Sequence, residues 1–536
     1  MNNNNKNPSA VLNVNIERLP PPSEIIETKN FKLCLWGWMG FKIDLPLIND
    51  WDADEFLVYT LEHSRGIFFI LVTDYLEKRS IFFTDLYSCK KIFYFRKDGK
   101  IHLTDFLYKF KPLMNTGKEL DTVSTALFLM YGYIPSNDTL YKPVKSLKPF
   151  TYYVYKDNQL EEHEYYKIDF PEKESSYPDA VYGIFELFEK RFLALTEPFK
   201  TFFIPLSGGR DSRFLLALAL KHFKKNRITT FTFGQKGTFD FEIGRGFSKK
   251  YNIDSICLPF NQEDYFEEYV LPGTKYKNGL INHAMNAPSK FYEKVLNPDD
   301  DRLIVSGYIG DAVLTWSHQR KIMSDENNFS YPVPYYFSLS DVADVSFPRY
   351  KGECYSRLKN LMECLYDEKR NLETEKWLYY VHAPYYTNPC MFSEEKFYHF
   401  ALPFIDTAFF EYIKKVPVRY KARTTFYEDI LNVDHDIHYF FHYPLKTERG
   451  FGYGNSRMTN LSFRCLFYLK ALVYGARPMK NYINFDKIYK DKFLDGQIAS
   501  LKHFEGLHYI LNKENLTIKQ KVLLFSLKLN LETFFK

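Results

Sequence analysis

The feature that most constrains this chain is a glycine loop between two apolar segments. Residues 202–206 (FFIPL) are typical of a short buried strand, and residues 213–225 (RFLLALALKHFKK) of a helix. Between them stands Ser207-Gly208-Gly209-Arg210-Asp211-Ser212. Two glycines let the backbone turn sharply and approach a ligand closely. The order strand, glycine loop, helix therefore predicts an α/β unit with an anion-binding loop at the helix start.

The side chains of this loop suggest a phosphate ligand held together with a cation. Ser207 and Ser212 supply hydroxyl groups, and successive N–H groups at a helix start attract anions. Asp211 would repel a phosphate, so its carboxylate predicts a bridging Mg²⁺. The simpler alternative is a strand–helix turn capped by Asp and Ser. A Walker A loop is excluded because GxxxxGK[ST] is absent.

Further segments extend the α/β pattern. Residues 179–195 predict a helix, residues 228–234 (ITTFTFG) a strand, and residues 302–311 (RLIVSGYIGD) another strand followed by a glycine loop. Strands that alternate with helices predict a parallel sheet with right-handed crossovers. From Phe31 to about Lys167 the chain favours short aromatic strands, with a hairpin at Asp98-Gly99 and one helix over 122–132.

A length of 536 residues is too great for one core, so we predict several units. The expected divisions are a flexible polar tail over 1–28, a mostly β domain over 29–170, an α/β domain over 171–458, and a helical extension over 459–536.

Composition excludes several classes of function. The net charge is only +5 and forms no block, so no nucleic-acid partner is expected. The chain lacks a run of about 18 apolar residues and an apolar leader, so no membrane partner is expected either. Seven scattered cysteines without a CxxC pair favour reduced thiols and a cytoplasmic location. A homodimer is left open.

The sequence SGGRDS resembles the pyrophosphate loop of the N-type ATP pyrophosphatases, and the surrounding motifs resemble those of the asparagine synthetase family. The downstream segments that carry this resemblance are Phe231-Thr232-Phe233-Gly234 (the strand beside the adenine), Asp240 with Gly244-Arg245, Ser306-Gly307-Tyr308-Ile309-Gly310-Asp311 (the second loop), Pro403-Phe404-Ile405-Asp406, and Lys446 before Gly450-Phe451. Weaker upstream matches, from Gly66 to Asp74 and from Tyr131 to Tyr141 among them, are similar to the family's glutaminase-like domain.

The resemblance implies a fold, ligands and an activity. The fold would be an adenine-nucleotide α-hydrolase-like parallel sheet, preceded by a mostly β, Ntn-hydrolase-like α+β domain. The activity would be that of an ATP-dependent ligase that converts a carboxylate to an acyl-adenylate for attack by ammonia or an amine, asparagine synthesis without glutamine hydrolysis being one form of it. The implied site residues are Ser207, Gly208, Gly209, Asp211, Ser212, Phe233, Gly307 and Gly310 for ATP, Asp211 and Asp311 for Mg²⁺, and Lys446 and Tyr308 for catalysis.

The chain departs from the family in the glutaminase-like part. Asn2 follows Met1, where a class II glutaminase needs a cysteine whose amine activates its own thiol. Cys34 and Gly66 are only 32 residues apart, and the family's glutamine-holding segments are missing from that interval. We therefore predict a degenerate glutaminase-like domain in which Cys34 is a buried structural residue.

The second loop departs as well. Tyr308 replaces the family's glutamate, and Ala312 replaces its second acidic residue. A tyrosine here resembles β-lactam synthetase, where Tyr and a later Glu form a proton-transfer pair, and Glu353 is a candidate partner. The alternative is that Tyr308 is a wall residue.

Three alternatives remain open at this stage. His435, His438 and His442 with two neighbouring aspartates have helical spacing that suits either a metal site or a polar helix face. For the whole protein, a tRNA-modifying enzyme with the same loop would need a basic face or a CxxC pair. A nucleotide-binding scaffold without turnover would not need Asp211, Asp311 and Lys446 together.

Overall fold

The computed structural model describes residues 14–114, 120–171, 175–285, 290–296, 302–315, 322–324, 330–365, 373–393, 396, 398–423, 425–443, 445, 465, 469, 473, 489–504, 506–513 and 515–535. The strands in these ranges are β1 (Val14–Arg18), β2 (Glu24–Glu27), β3 (Phe31–Gly37), β4 (Phe68–Asp74), β5 (Arg79–Thr84), β6 (Phe93–Lys97), β7 (Lys100–Thr104), β8 (Val144–Ser146), β9 (Thr151–Lys156), β10 (Gln159–Glu164), β11 (Phe202–Pro205), β12 (Ile228–Gly234), β13 (Asp254–Pro259), β14 (Leu303–Val305), β15 (Ile322–Ser324), β16 (Ser330–Pro332) and β17 (Phe400–Ala401).

Helices connect and cover these strands. The α-helices are Leu45–Ile48, Ala53–His63, Thr122–Tyr131, Tyr177–Thr196, Arg210–His222, Phe239–Tyr251, Gln262–Tyr265, Leu271–Tyr276, Lys290–Val295, Gly310–Leu314, Lys351–Leu365, Glu373–Trp377, Asn388–Met391, Thr407–Ile413, Val418–Lys421, Phe426–Leu431, His435–Phe440, Asp491–Ile498, Leu507–Leu511 and Ile518–Phe535. Wider π-helical turns occur at Phe266–Val270, Ser340–Ser346 and Leu378–Thr387. No described helix has the length and apolar character needed to cross a membrane.

The amino-terminal part is built from two sheets. One has the strand order β10-β9-β5-β4-β3-β2 and is antiparallel, and the other has the order β1-β7-β6-β8. Trp36, Phe69 and Phe82 of the first sheet pack with Tyr94 and Ile101 of the second in one buried cluster. This arrangement agrees with the mostly β content predicted for this part of the chain. The predicted hairpin is also confirmed, since Asp98 and Gly99 adopt φ of 51° and 67° between β6 and β7.

Residues 14–27 correct the predicted tail. They form β1, which pairs with β7, and β2, which pairs with β3. Val14 and Ile26 are buried. The Asn- and Pro-rich composition of the first 28 residues hid these strands, because each contains only one or two apolar side chains that a partner sheet covers.

The second part contains the predicted parallel sheet. Its order is β13-β12-β11-β14-β17, and every neighbouring pair in it is parallel. Chain order runs outward from β11 on one side through β12 and β13, and on the other side through β14 and β17. The order thus reverses between β11 and β14. In open parallel sheets, ligands bind in the crevice at the carboxyl ends of the strands flanking such a point.

The helices over 491–535 are not a separate extension. They share a buried cluster with helix Thr122–Tyr131 and with residues of the 337–390 segment. The rings of Tyr141 and Phe534 stack at 3.5 Å, and Ser526 Oγ lies 2.7 Å from Nδ1 of His283. Burial lowers the pKa of His283 to about 3, so the ring is neutral at physiological pH. The helices over 491–535 therefore share a hydrophobic core with earlier segments, and the boundary predicted at 459 lies outside the described residues.

Asp406 joins the amino-terminal part to the parallel sheet. Its buried carboxylate accepts two hydrogen bonds from Arg191, at 2.8 and 3.0 Å, and lies 3.5 Å from Nε of Arg65. Its Oδ1 also caps helix Thr407–Ile413 by accepting from two backbone N–H groups. The match to the family motif at Asp406 thus corresponds to a structural ion pair.

We predict that Asp406→Asn lowers the free energy of unfolding by about 3 kcal/mol, because it leaves the guanidinium groups without a buried counter-charge. The side chains of Lys29 and Asp50 form an ion pair that is 61% and 81% exposed, so Lys29→Ala is the matched control and should change stability by less than about 1 kcal/mol. Urea titrations of both variants measure the difference. Equal losses of stability in the two variants would contradict the assignment of Asp406 to a structural ion pair.

Candidate functional site

A cavity of about 320 Å³ lies at the predicted crevice. One wall is the loop Ser207–Gly209, which follows β11 and leads into helix Arg210–His222. The opposite wall is the loop Ser306–Ile309, which follows β14 and leads into helix Gly310–Leu314. The volume lies at the low end of the range for small-molecule sites.

Most of the sequence-predicted site residues meet in this cavity. Those that line it are Ser207, Gly209, Asp211, Ser212, Phe233, Gly307, Tyr308 and Asp311. Gly208 and Gly310 do not line it, but each stands between two lining residues in sequence. Lys446 and Gly450-Phe451 fall outside the described residues.

The first loop is organised by its own hydroxyl groups. Ser207 Oγ accepts from the N–H of Gly209 at 3.1 Å and lies 3.3 Å from Ser212 Oγ. The N–H of Gly208 donates to Oδ1 of Asp240 at 3.2 Å. These bonds fix a turn that opens into the cavity, so both serine hydroxyl groups stand at its edge.

The two loops touch because Gly307 and Gly310 have no side chains. A Cβ atom added at Gly307 would lie 2.9 Å from Cβ of Asp211, and one at Gly310 would lie 2.8 Å from its Cγ. Real Cβ atoms do not approach that closely, so both positions require glycine for the contact with Asp211. Between them, Ile309 adopts φ 48° and ψ 19°. A β-branched residue in this region is strained, and such strain is concentrated at functional sites.

Asp211 sits in an environment that opposes its ionisation. Burial and the charge of Asp311 raise the pKa of Asp211 to about 7. Two hydrogen bonds act against this shift. Tyr427 donates its hydroxyl to Oδ1 at 2.7 Å, and the N–H of Asp311 donates to Oδ2 at 3.1 Å.

Tyr427 is a site residue that sequence reasoning missed. It is fully buried, and the guanidinium of Arg210 lies 4.9 Å from the centre of its ring. It is 216 positions from Asp211 and belongs to no recognisable motif. Only the three-dimensional contact identifies it.

The carboxylate pair has the donor chemistry that Mg²⁺ prefers. A divalent cation next to Asp211 and Asp311 would offset the repulsion that raises the pKa of Asp211. Mg²⁺ is usually held by one or two carboxylates together with phosphate oxygens and water. Within the described ranges, no group of three or more His, Cys, Asp or Glu residues is placed to hold a metal, and this includes the histidines at 435, 438 and 442.

The far end of the cavity is aromatic. Phe231 and Phe233 face it from β12, and the ring of Tyr292 packs edge-on against Phe231 at 5.4 Å. Met391 also lines the cavity. The cavity therefore has an acidic, hydroxyl-rich end and an apolar end suited to a planar ring.

Tyr308 does not pair with Glu353. Its hydroxyl donates to Oδ1 of Asn388. Asn388 in turn donates through Nδ2 to the carbonyl oxygens of Tyr87 at 2.8 Å and Ser88 at 3.2 Å, so the orientation of its amide is fixed. Burial raises the pKa of Tyr308 well above its ordinary value. These contacts favour the wall interpretation of Tyr308 over a proton-transfer pair.

Cys34 lies in the middle of β3 and is 8% exposed. Burial is the main cause that raises the pKa of its thiol. Both observations agree with the predicted structural role.

Comparisons with known proteins add little to this geometry. No protein-family model matches the chain, and no curated protein matches it in sequence. A solved structure with partial similarity is the glutamine phosphoribosylpyrophosphate (PRPP) amidotransferase from B. subtilis, complexed with ADP and GMP. The identity is 7%, the TM-score is 0.19, and the alignment covers 45% of this chain and 48% of that one. This chain therefore spans about half the length of that protein.

The raised pKa of Asp211 predicts how stability depends on pH. In the unfolded chain an aspartate ionises near pH 4, whereas Asp211 in the folded chain ionises near pH 7. The unfolded state thus binds fewer protons between these values, and the group destabilises the fold progressively as pH rises through this window. Asp211→Asn removes this effect.

With a chelator present, we expect the Asp211→Asn variant to gain stability relative to wild type from pH 4 to pH 7, reaching on the order of 4 kcal/mol. Thermal unfolding across this pH range provides the measurement. Asp254→Asn, at an exposed aspartate on β13, is the control and should follow wild type. A constant difference between Asp211→Asn and wild type at all pH values would contradict the electrostatic assignment.

Proposed function

We propose that this protein is an ATP-dependent ligase that joins a carboxylate to ammonia or an amine. The observation that carries the proposal is the contact between Asp211 and the second loop at the switch point of the parallel sheet. There, two carboxylates meet beside a hydroxyl-lined glycine loop. An anion that carries Mg²⁺ suits this combination better than a bare anion or a bare cation would.

The shape of the cavity supports ATP as the nucleotide substrate. The triphosphate would lie along Ser207–Ser212, with hydrogen bonds from the two serine hydroxyl groups. The adenine would lie against Phe233 at the apolar end. Asp211 and Asp311 would hold Mg²⁺, which supplies positive charge to neutralise the phosphates and polarise the α-phosphorus.

The proposed chemistry has two displacement steps. In the first, an oxygen of the substrate carboxylate attacks the α-phosphorus, the bond to the β-phosphate oxygen breaks, and pyrophosphate leaves. In the second, the nitrogen of neutral ammonia or an amine attacks the acyl carbon, the bond to AMP breaks, and the nitrogen loses a proton. The product is an amide. If the carboxylate substrate is aspartate, the product is asparagine.

The residues of the chain would contribute by position and charge. Tyr308, as a neutral hydrogen-bond donor, is suited to shaping the cavity rather than to taking a proton. Tyr427 would keep the carboxylate of Asp211 turned toward the second loop. Lys446 is proposed to neutralise charge that develops on the phosphates and on the acyl oxygen.

A pyrophosphate-release assay with Mg·ATP and a panel of carboxylates, each with ammonium or simple amines, tests the proposal. We expect carboxylate-dependent release of pyrophosphate and AMP in equal amounts, and no release by Asp211→Asn. Nucleotide binding without release by any substrate would favour a scaffold. Release that depends on tRNA would favour a tRNA-modifying enzyme. Unchanged release by Asp211→Asn would contradict the assignment of this cavity.

Lys446→Met is expected to reduce turnover by about two to three orders of magnitude, the usual consequence of losing one preorganised electrostatic partner. Its melting temperature should stay close to that of wild type, because the role proposed for Lys446 concerns the bound phosphates and not the packing of the fold. Lys492→Met, at an exposed lysine of helix Asp491–Ile498, is the control and should retain full turnover. Near-normal turnover by Lys446→Met would contradict this catalytic role of Lys446.

A further inference from the structure

A continuous set of hydrogen bonds leaves the cavity and enters the amino-terminal sheets. It begins at the hydroxyl of Tyr308, passes through the side-chain amide of Asn388, and ends at the carbonyl oxygens of Tyr87 and Ser88. Asn388 is fully buried, and Tyr308 is 4% exposed. Each polar atom of the Asn388 amide is engaged, so the amide cannot rotate without breaking at least one bond inside the core.

The turn that receives these bonds is held in a strained conformation. It follows β5, and Ser88 adopts φ 48°, a left-handed value that few non-glycine residues take. On one side, Asp85 accepts from the N–H groups of Cys89 at 3.0 Å and Tyr87 at 3.3 Å. On the other side, Asn388 donates to the carbonyl oxygens. The turn therefore depends on bonds from both parts of the protein.

Asn388 is itself held in place from beyond the cavity. It begins helix Asn388–Met391, which continues directly from the π-helical segment Leu378–Thr387. The ammonium group of the buried Lys277 donates to the carbonyl oxygens of Pro389 at 2.9 Å and Cys390 at 2.7 Å. Thr387 and Met391, which flank Asn388 in sequence, line the cavity. A ligand in the cavity therefore touches the segment that carries Asn388.

We propose that Asn388 is a positioning residue that couples the occupancy of the cavity, through Tyr308, to the Tyr87–Cys89 turn of the amino-terminal sheets. This gives the amino-terminal sheets a role as a support for the nucleotide cavity. The coupling between Tyr308 and the turn is a property of the fold. Its dependence on a ligand rests on the proposed function.

Amide hydrogen exchange of the full chain without ligand tests the coupling directly. We expect amides of residues 85–89 to exchange roughly thirtyfold faster in Asn388→Ala, because two buried hydrogen bonds of about 1 kcal/mol each are lost. Tyr308→Phe loses one such bond while its ring still packs on Phe392, so we expect roughly fivefold faster exchange. This variant decides the question if Asn388→Ala does not fold.

Tyr427→Phe is the matched control. It removes a buried tyrosine hydroxyl that bonds to Asp211 on the other wall of the same cavity. Exchange at residues 85–89 should stay at the wild-type rate in this variant. Two results would overturn the coupling. One is exchange of residues 85–89 at the wild-type rate in Tyr308→Phe, and the other is an equal increase of that rate in Tyr308→Phe and Tyr427→Phe.

Mg·ATP is the probe for the ligand-dependent part. In wild type we expect slower exchange at residues 207–212 and also at 85–89, and in Tyr308→Phe slower exchange at 207–212 alone. Protection of 207–212 without any change at 85–89 in wild type would overturn the coupling to occupancy. No protection at 207–212 would instead contradict the proposed function, while the ligand-free comparison would still decide the coupling.

Discussion

The candidate site depends on one close contact, in which the carboxylate of Asp211 is pressed against the loop that follows β14. Gly307 and Gly310 make the contact possible, because a Cβ atom at either position would overlap the Asp211 side chain. The contact has an electrostatic consequence, since it places Asp211 beside Asp311 and raises the pKa of Asp211. Two carboxylates held this close together without a cation lower the stability of the fold. Such unfavourable charge arrangements are concentrated at ligand-binding and catalytic sites.

The rest of the structure surrounds this contact. β11 and β14 are paired neighbours, and the reversal of strand order between them leaves a crevice at their carboxyl ends. Tyr427 and the strained Ile309 fix the positions of the groups around Asp211. Phe233 and Met391 give the other end of the cavity its apolar surface. These elements lie in different segments of the chain, so the cavity forms from residues that are far apart in sequence.

Local sequence signals predicted the sheet and the position of the cavity but not its electrostatics. The apolar pattern of ITTFTFG predicts a strand, and the glycines of SGGRDS predict a turn before a helix. Both signals are local, so β12 and the first loop could be predicted. The strands within residues 14–27 and the packing of the predicted helices over 491–535 could not be predicted, because both depend on partner strands and helices distant in sequence. Tyr427 and Asn388 are single residues without a motif, and only tertiary packing gives them partners. The correction for Tyr308 has the same origin, because its partner is set by packing and not by spacing.

The most direct measurement is a crystal structure with Mn²⁺, as a substitute for Mg²⁺, and a non-hydrolysable ATP analogue. An anomalous scattering peak should appear at coordination distance, about 2 Å, from carboxylate oxygens of both Asp211 and Asp311. The triphosphate should lie on Ser207–Ser212 and the adenine against Phe233. A nucleotide bound elsewhere, or a cation that contacts neither carboxylate, would contradict the assignment of this cavity as the nucleotide site.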